Sequence, residues 1–380
     1  FTLPLPDRIF LGRTIGGIRR EIFWEFGHPQ LTNRHFLIFG KSGVGKTYAI
    51  QSILYELSLK SQHSVIIDYT SGFLPNQLET DFVNSIHPKT HLVRQSPLPI
   101  NPFRRQEQII EGFEPIIEDA HTVGGRVTSV FTSVYSSMGE QQIALLIKTI
   151  AEGLETYGAS YNFDILLENL EEQENKAINL ANKISPLVRS RLFTAEDNDS
   201  WTMLYYDSEY CVNILQLAGV PREMSRMATE FILWDLYDFA SNQGKKDRPL
   251  PLVLDEIQNL DHRLDAPLAK ILTEGRKFGL SGILATQTLS NLPFEARDRL
   301  FQASHKLFFK PAETELKEYA IILSNSTREK LEVWKDRLIN LNKGECYTLG
   351  PALNQKTGKL EEKAFPIKIS SMEERKGTGS

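Results

Sequence analysis

The hydrophobic residues of the chain form short continuous runs that alternate with longer amphipathic stretches. "FLIF" at 36–39, "VII" at 65–67 and "LVL" at 252–254 contain no polar residue, which predicts strands buried on both faces of a sheet. Residues 222–241 and 265–279 carry apolar side chains at helical spacing. Strands that alternate with helices in this way are typical of an α/β fold with a mainly parallel sheet.

The same pattern divides the chain into a core with additions. Further strands are predicted at 210–217, 281–287 and 305–310, and the segment "GECYTLG" at 344–350 is predicted to be an edge strand. The predicted domains are an N-terminal arm with short strands at 1–34, an α/β core at 35–105 and 201–366, a helical insertion at 106–200, and a tail at 367–380.

Composition narrows the class of protein. The 380 residues are 41% hydrophobic and 24% charged, with a formal net charge of −5, as in a globular protein. This mild acidity argues against a binder that coats its whole surface with positive charge, although it leaves room for a local basic groove. No apolar run is long enough to span a membrane, so no membrane contact is expected.

The termini and the cysteines give two further expectations. Cys211 and Cys346 lie far apart and form no metal-binding or disulfide pattern, which favours a reducing compartment, the cytoplasm. The chain begins with Phe1 rather than Met, so we expect it to be a fragment of a longer protein. The last residues, "KGTGS", look like a remnant of cloning.

A glycine-rich segment lies between the first strand-like run and a helix-like stretch. Its spacing, Gly40-x-x-x-x-Gly45-Lys46-Thr47, fits a phosphate-binding loop, which needs a strand before it and a helix after it. Lys46 is predicted to reach the β- and γ-phosphates of ATP, and the Thr47 hydroxyl is predicted to bind Mg²⁺. A plain glycine-rich turn is the alternative, but both flanks favour phosphate binding. The residues predicted to bind the nucleotide are Gly40, Lys41, Ser42, Gly43, Val44, Gly45, Lys46, Thr47 and Tyr48.

Carboxylates follow two of the predicted buried strands. Asp255 is predicted to hold Mg²⁺ through water, and Glu256 is predicted to orient and polarise the water that attacks the nucleotide. A solvated acidic loop is the alternative, and the phosphate-binding loop upstream favours the chemical roles. Asp68 is either a structural residue or a neighbour of the metal, and we favour the structural role.

Two more polar residues complete the candidate site. Gln287, at the end of the strand 281–287, is predicted to contact the γ-phosphate and report its presence; an exposed amide at a strand end is the alternative. Arg276 could stabilise charge that develops on the γ-phosphate, in its own subunit or in a neighbour's. It could equally be a surface arginine that interacts with a helix C-terminus.

These motifs together resemble one family. "NRHFLIFGKSGVGKT", "SVIIDYTSG", "PINPF", "LVLDEIQNL", "ILTEGRKFGLSGILATQTLSNLP" and "GECYTLG" look like the HerA/FtsK superfamily of motor ATPases. The resemblance implies a RecA-like P-loop core, usually in a hexameric ring, that pumps double-stranded DNA. It also implies catalytic roles for Lys46, Glu256, Gln287 and Arg276, and metal binding by Thr47 and Asp255.

The resemblance has a narrower form and some departures. The chain also looks similar to the C-terminal ATPase region of DptH-type proteins, which implies partner subunits in a phosphorothioation-dependent restriction complex. The loop reads "KSGVGKT" where the superfamily often has T-G-S-G-K, and "TLSN" follows Gln287 where it often has Arg-Pro. The chain before residue 34 is too short for the small N-terminal barrel of HerA, which leaves ring formation open.

The leading hypothesis is therefore an ATP-driven DNA motor, and two alternatives remain. One is an ATP-dependent scaffold or switch with little turnover, and the other is a motor that moves proteins, as in type IV secretion. "NKIS" at 182–185 lacks the Asp of a guanine-reading motif, which argues against a GTPase. The arginines considered as DNA contacts are Arg104, Arg105, Arg126, Arg189 and Arg191, each of which could be an ordinary surface residue.

Overall fold

A computed structural model describes residues 8–173, 177–194 and 200–376, and its main feature is one eleven-stranded sheet. The strands are β1 (Ile9–Thr14), β2 (Glu21–Trp24), β3 (Phe36–Phe39), β4 (Ser64–Asp68), β5 (Lys89–Leu92), β6 (Glu107–Gln108), β7 (Ile116–Ile117), β8 (Val212–Gln216), β9 (Leu250–Leu254), β10 (Leu280–Thr286), β11 (His305–Phe309), β12 (Glu345–Asn354) and β13 (Lys359–Ile369). The sheet order is β2-β1-β13-β12-β11-β3-β10-β9-β4-β8-β5, and β6 pairs with β7 in a separate hairpin.

Helices cover both faces of this sheet. They are α1 (Lys46–Leu59), α2 (Thr80–Ile86), α3 (Ala120–Val134), α4 (Glu140–Tyr157), α5 (Phe163–Glu171), α6 (Ile178–Ser190), α7 (Ser200–Tyr205), α8 (Arg222–Gln243), α9 (Pro267–Glu274), α10 (Phe294–Phe301), α11 (Leu316–Thr327), α12 (Leu331–Ile339) and α13 (Met372–Lys376). Short 3-10 segments add Gly158–Ser160, Ile257–Asn259, Gly275–Phe278 and Glu313–Glu315. In the described part of the chain, no helix is both long and apolar enough to cross a membrane.

Two hydrophobic clusters lie on opposite faces of the sheet. Because side chains alternate along a strand, Phe36 and Ile38 of β3 enter one cluster, with the apolar face of α1. Leu37 and Phe39 enter the other, with α3 to α6 and α8 to α12. The strands of the parallel half are buried on both sides, which explains why they read as continuous apolar runs.

The order of the parallel strands sets the position of the candidate site. β10 pairs in parallel with β3 on one side and with β9 on the other. The strand before the glycine-rich loop is therefore separated by one strand from the strand that precedes Asp255. The predicted mainly parallel sheet is confirmed.

The antiparallel end of the sheet corrects one prediction. The sequence pattern predicts an edge strand at residues 344–350, but β12 lies inside the sheet, between β11 and β13. A ten-residue register with β13 covers its outer side, and β1 and β2 extend the sheet further. The edge strands are β2 and β5. The predicted short strands of the N-terminal arm are β1 and β2.

The segment predicted to be a tail belongs to the folded structure. Residues 367–369 end β13, and α13 follows directly. Arg375 of α13 is only 1% exposed, and its guanidinium donates to Phe10 O (2.6 Å), Leu11 O (2.7 Å) and the carboxylate of Glu56 on α1 (2.9 Å). The last four residues, 377–380, lie outside the described part of the chain.

The described residues of the predicted helical insertion share the hydrophobic core of the sheet. The buried side chains of α3 to α6, such as Val127, Leu146 and Ile184, belong to the same cluster as Leu252 and Leu284 of the sheet. The division of the chain into core and insertion stays a prediction based on sequence.

Candidate active site

The glycine-rich loop has the geometry of a phosphate cradle. Gly45 has φ 113°, a value that residues with a Cβ rarely adopt, and it is the N-cap of α1. At Gly40 a Cβ would lie 2.7 Å from the Cβ of Phe309, so a side chain there would collide with β11. The loop can therefore pass close to its neighbours, and the first turn of α1 supplies N–H groups that have no partner within the helix and can bind an anion.

Lys46 places a positive charge inside this loop. Its side chain is buried, and Nζ donates to the carbonyl oxygens of Gly40 (2.8 Å) and Lys41 (3.2 Å). Burial lowers the pKa of Lys46, and the nearby carboxylates of Asp255 and Glu256 partly offset this. An ammonium held next to the first turn of a helix suits an anionic phosphate.

Asp255 lies buried at the carboxyl end of β9. Its Oδ1 accepts one hydrogen bond, from the backbone N–H of Glu256 (2.8 Å). Burial raises the pKa of Asp255 to about 6, and repulsion from Glu256 adds to the effect. Such a carboxylate gains stability from a cation, so Asp255, with the half-buried Thr47 hydroxyl, fits the oxygen ligands that Mg²⁺ prefers.

Glu256 is held in a strained backbone conformation. Its φ is 53°, in the left-handed region that costs a residue with a Cβ about 1–3 kcal/mol. The hydroxyl of Tyr69 donates to the carbonyl oxygen of Glu256 (2.7 Å). The carboxylate accepts hydrogen bonds from the side-chain amides of Gln258 and Gln287. Several contacts therefore fix where this carboxylate points.

Gln287 lies beside Glu256 at the end of β10, and its contact with the γ-phosphate stays a prediction. Gln258 was not among the residues predicted from the sequence. The carbonyl oxygen of Gln287 accepts from the Tyr319 hydroxyl (3.1 Å), which anchors the end of β10. Gln258 donates to Glu256 and accepts from the Thr286 hydroxyl (2.6 Å), so it connects β10 to the loop that follows β9. The available sequence signal was a polar residue two positions after Glu256 in "DEIQNL".

Arg276 does not reach the site in its own chain. It is exposed in the segment Gly275–Phe278 that precedes β10, whereas Gln287 follows β10. The seven residues of β10 span about 20 Å at ~3.3 Å per residue, so the two side chains lie at opposite ends of the sheet. The option that Arg276 acts in its own subunit is wrong, and action on a neighbour's nucleotide stays a prediction.

The remaining loop residues differ in their surroundings. Lys41, Ser42 and Gly43 are exposed, and Val44 is buried. The hydroxyl of Tyr48 accepts a hydrogen bond from the backbone N–H of Met372 (3.2 Å), the first residue of α13. The ring of Tyr48 thus joins the loop to the C-terminal helix, and its contact with a nucleotide stays a prediction.

Three of the five arginines considered as DNA contacts are paired with acids. Arg104 binds Asp235 (2.8 Å) and Asp238 (3.0 Å), both on α8. The nearly buried Arg126 binds Glu118 (2.9 Å), and Arg105 binds Glu155 (2.7 Å). These ion pairs favour a structural role for the three arginines. Arg189 and Arg191 are exposed, so they keep the possibility of a contact with DNA.

Comparisons with known proteins agree with this geometry. The family model described as "Helicase HerA, central domain" matches residues 11–236. No curated protein matches the sequence of the chain. VirB4 of Thermoanaerobacter pseudethanolicus has a similar structure, with a TM-score of 0.67, 15% identity and 96% coverage of both chains.

Structures of the bacterial conjugative coupling protein TrwB are also similar. The unbound monoclinic form has a TM-score of 0.57 and 17% identity, covering 94% of this chain and 88% of that chain. The complex of TrwB with an ATP analogue has a TM-score of 0.55 and 17% identity, with coverage of 97% and 95%. These likenesses confirm the predicted RecA-like P-loop fold. Because the family model spans 226 of the 380 residues, the chain belongs to the HerA helicase family and is a P-loop ATPase.

Proposed function

We propose that the protein hydrolyses ATP in the presence of Mg²⁺ and uses the energy to move along double-stranded DNA. The observation that carries this proposal is the meeting of Lys46, Asp255 and Glu256 at the carboxyl ends of parallel strands. TrwB, which shares the fold, has been solved in complex with ADP and Mg²⁺ and with an ATP analogue, which supports the choice of nucleotide and metal.

The chain supplies three functions for hydrolysis. The loop amides and Lys46 bind the phosphates, and their positive character stabilises the charge that builds up on the γ-phosphate. Glu256 accepts a proton from a water molecule whose oxygen attacks the γ-phosphorus, and the bond to ADP breaks, giving ADP and phosphate. Gln287 and Gln258 hold the carboxylate of Glu256 in place for this step.

Thr47 and Asp255 would hold the metal. When bound, Mg²⁺ neutralises phosphate charge and fixes the orientation of the triphosphate. The rise in the pKa of Asp255 that burial causes would be reversed by such a cation, because a nearby positive charge favours the carboxylate.

Membership of the HerA helicase family supports DNA as the track. TrwB, a plasmid coupling protein of bacterial conjugation, has the same fold and is consistent with this choice. A homo-oligomer, with a hexamer as the family pattern, would bring the exposed Arg276 of one copy to the nucleotide of the next. The restriction context rests on the resemblance to DptH-type proteins alone, and we propose it as the cellular setting.

ATP hydrolysis, measured with and without double-stranded DNA, tests this function. We expect DNA to stimulate turnover, and Glu256→Gln to bind ATP normally while turning it over about 10²–10⁴-fold more slowly. Glu332→Gln, which changes an exposed carboxylate on α12, is the matched control and should keep full activity. Equal turnover in Glu256→Gln and the wild type would show that Glu256 is not the general base.

The same assay separates the alternatives. Tight ATP binding with negligible turnover that DNA does not change would favour a scaffold or switch. Turnover that responds to an unfolded protein substrate and ignores DNA would favour a protein motor. For a DNA motor, displacement of a third strand from a triplex should require ATP, and stimulation by DNA should fall steeply as salt rises.

A further inference from the structure

A small hairpin in the helical insertion exposes apolar surface on both of its faces. β6 and β7 pair only with each other in the described structure. Ile116 and Ile117 are 56% and 57% exposed, although neighbouring side chains of a strand point to opposite faces. Phe113 at the turn is 75% exposed, and Ile109 is 63% exposed. Exposed apolar side chains grouped in this way mark a surface that contacts another protein.

The charge of the hairpin indicates what kind of partner fits. The stretch 106–119 contains no Lys or Arg. Its acids include Glu107, Glu111 and Glu114, whereas Glu118 is paired with Arg126 inside the same chain. Negative charge repels a nucleic-acid backbone, and exposed isoleucines favour an apolar contact. The hairpin therefore fits a protein surface that is both basic and apolar.

A groove of about 960 Å³ at the antiparallel end of the sheet has this complementary character. Ile22 and Phe23 of β2 line it together with the β12–β13 turn. β2 is an edge strand, so one row of its backbone groups is free to accept another strand. The basic residues in the lining are Arg20, Lys356, Lys363 and Arg8, and the acids are Glu21 and Glu25. Arg8 is paired with Glu25 (2.6 Å), so the other three basic residues supply the excess of positive charge over Glu21.

The hairpin cannot fill the groove of its own chain. β6 lies against α8, the helix that connects β8 to β9. Seven strand spacings of ~4.8 Å, about 34 Å along the sheet, separate β9 from β2. No residue of the hairpin lines the groove, and its apolar side chains are exposed.

We propose that hairpin 107–117 of one copy docks into the groove between β2 and the β12–β13 turn of a second copy of this chain. Acidic and apolar surface on one side then meets basic and apolar surface on the other. Because the two surfaces differ, the contact is head-to-tail, and repeating it gives a closed ring or an open filament. The contact does not depend on ATP chemistry.

Cross-linking between two differently labelled copies tests the contact directly. One copy carries Phe113→Cys and the other Lys356→Cys, both with Cys211→Ser, while the buried Cys346 stays in place. A dimer-sized disulfide product should form when the two are mixed under mild oxidation, and neither copy alone should give it. Oligomers that form without this cross-link would overturn the proposal.

The oligomer mass of matched variants, measured by analytical ultracentrifugation, gives the second test. Phe113→Asp should shift the protein towards the monomer, while Leu59→Asp, an exposed leucine on α1, should not. Arg20→Glu should weaken the contact about tenfold or more, and adding Glu111→Lys should restore it. A wild type that stays monomeric at about 50 µM, a concentration at which an interface with a micromolar Kd forms, would refute the proposal.

Discussion

The carboxyl ends of the neighbouring strands β4 and β9 use the same residue type in opposite ways. Asp68 and Asp255 are both buried, at 1% and 9% exposure. The carboxylate of Asp68 accepts five hydrogen bonds, from Thr70 N and Oγ1, Gly72 N, Phe73 N and the amide of Gln216. The carboxylate of Asp255 accepts one, from Glu256 N.

This difference is the one expected between a structural carboxylate and the metal ligand proposed at Asp255. The oxygens of Asp68 are occupied by the loop at 69–73 and by β8, so they fix the loop and have little capacity left for a metal. The oxygens of Asp255 stay available for a metal. This lowers the stability of the fold, because a buried carboxylate with few hydrogen-bond donors is poorly solvated. The structure thus supports the structural role that we favoured for Asp68.

Replacing Asp255 should produce the largest effect. Asp255→Asn removes the charge that would hold Mg²⁺, and we expect turnover of ATP to fall by on the order of 10³-fold. Because burial raises the pKa of Asp255 to about 6, the variant should unfold at the same temperature or higher. Steady-state hydrolysis and thermal unfolding without nucleotide check both parts. A large loss of stability would contradict the contrast with Asp68.

Replacing Asp68 should affect stability instead. Asp68→Ala leaves buried backbone donors of the 70–73 loop without an acceptor, which should cost about 3 kcal/mol of unfolding free energy. Urea unfolding measures this, and Asp68→Asn should recover part of it. ATP turnover per folded molecule should stay within a fewfold of the wild type. A thousandfold loss in a folded variant would make Asp68 a second metal residue.

A third buried carboxyl group, that of Glu230, should make the stability of the protein depend on pH. Glu230 on α8 is buried beneath the loop after Asp255, and burial raises its pKa to about 8. A raised folded pKa means that stability is fully present below the unfolded value of 4.5 and is lost as pH rises towards 8. Between pH 5 and 7 the loss should be about 2.5 kcal/mol, at 1.36 kcal/mol per pKa unit.

Glu230→Gln removes this titration while its side-chain oxygen can still accept from Asp261 N. The unfolding free energy of the variant should therefore stay flatter between pH 5 and 8 than that of the wild type. Parallel curves for the two proteins would mean that Glu230 ionises normally in the fold.

The smallest expected effect concerns Gln258. Gln258→Ala removes one of the two side-chain amides that hold the carboxylate of Glu256. We therefore expect kcat to fall about tenfold, with little change in KM for ATP. Thr286→Val, which removes the hydroxyl that binds Gln258, should also lower kcat. The neighbouring Asn259→Ala is the control. A change in KM alone would mean that Gln258 affects nucleotide binding.

The sequence predicted those parts of the site that local spacing determines. Gly40, Lys46 and Thr47 lie in one loop, and Asp255 and Gln287 follow buried strands that are readable as apolar runs. In a parallel sheet such strand ends meet at one edge, so the assembly of these residues follows from the fold.

Features that depend on distant contacts were not readable. β13 alternates polar and apolar residues because it is partly exposed, and its pairing with β1 joins the two ends of the chain. The burial of Arg375 depends on acceptors in β1 and α1, more than 300 residues away.

The anchoring of α13 has a consequence for handling the protein. Tyr48, one residue beyond Thr47, accepts a hydrogen bond from the first residue of α13, and Arg375 ties that helix to α1. A truncation after Ile369 would strip this brace from the helix that begins at Lys46. A dye or fused domain attached behind Lys376 would, by contrast, sit on an element that contacts both the glycine-rich loop and α1, and would report on their position.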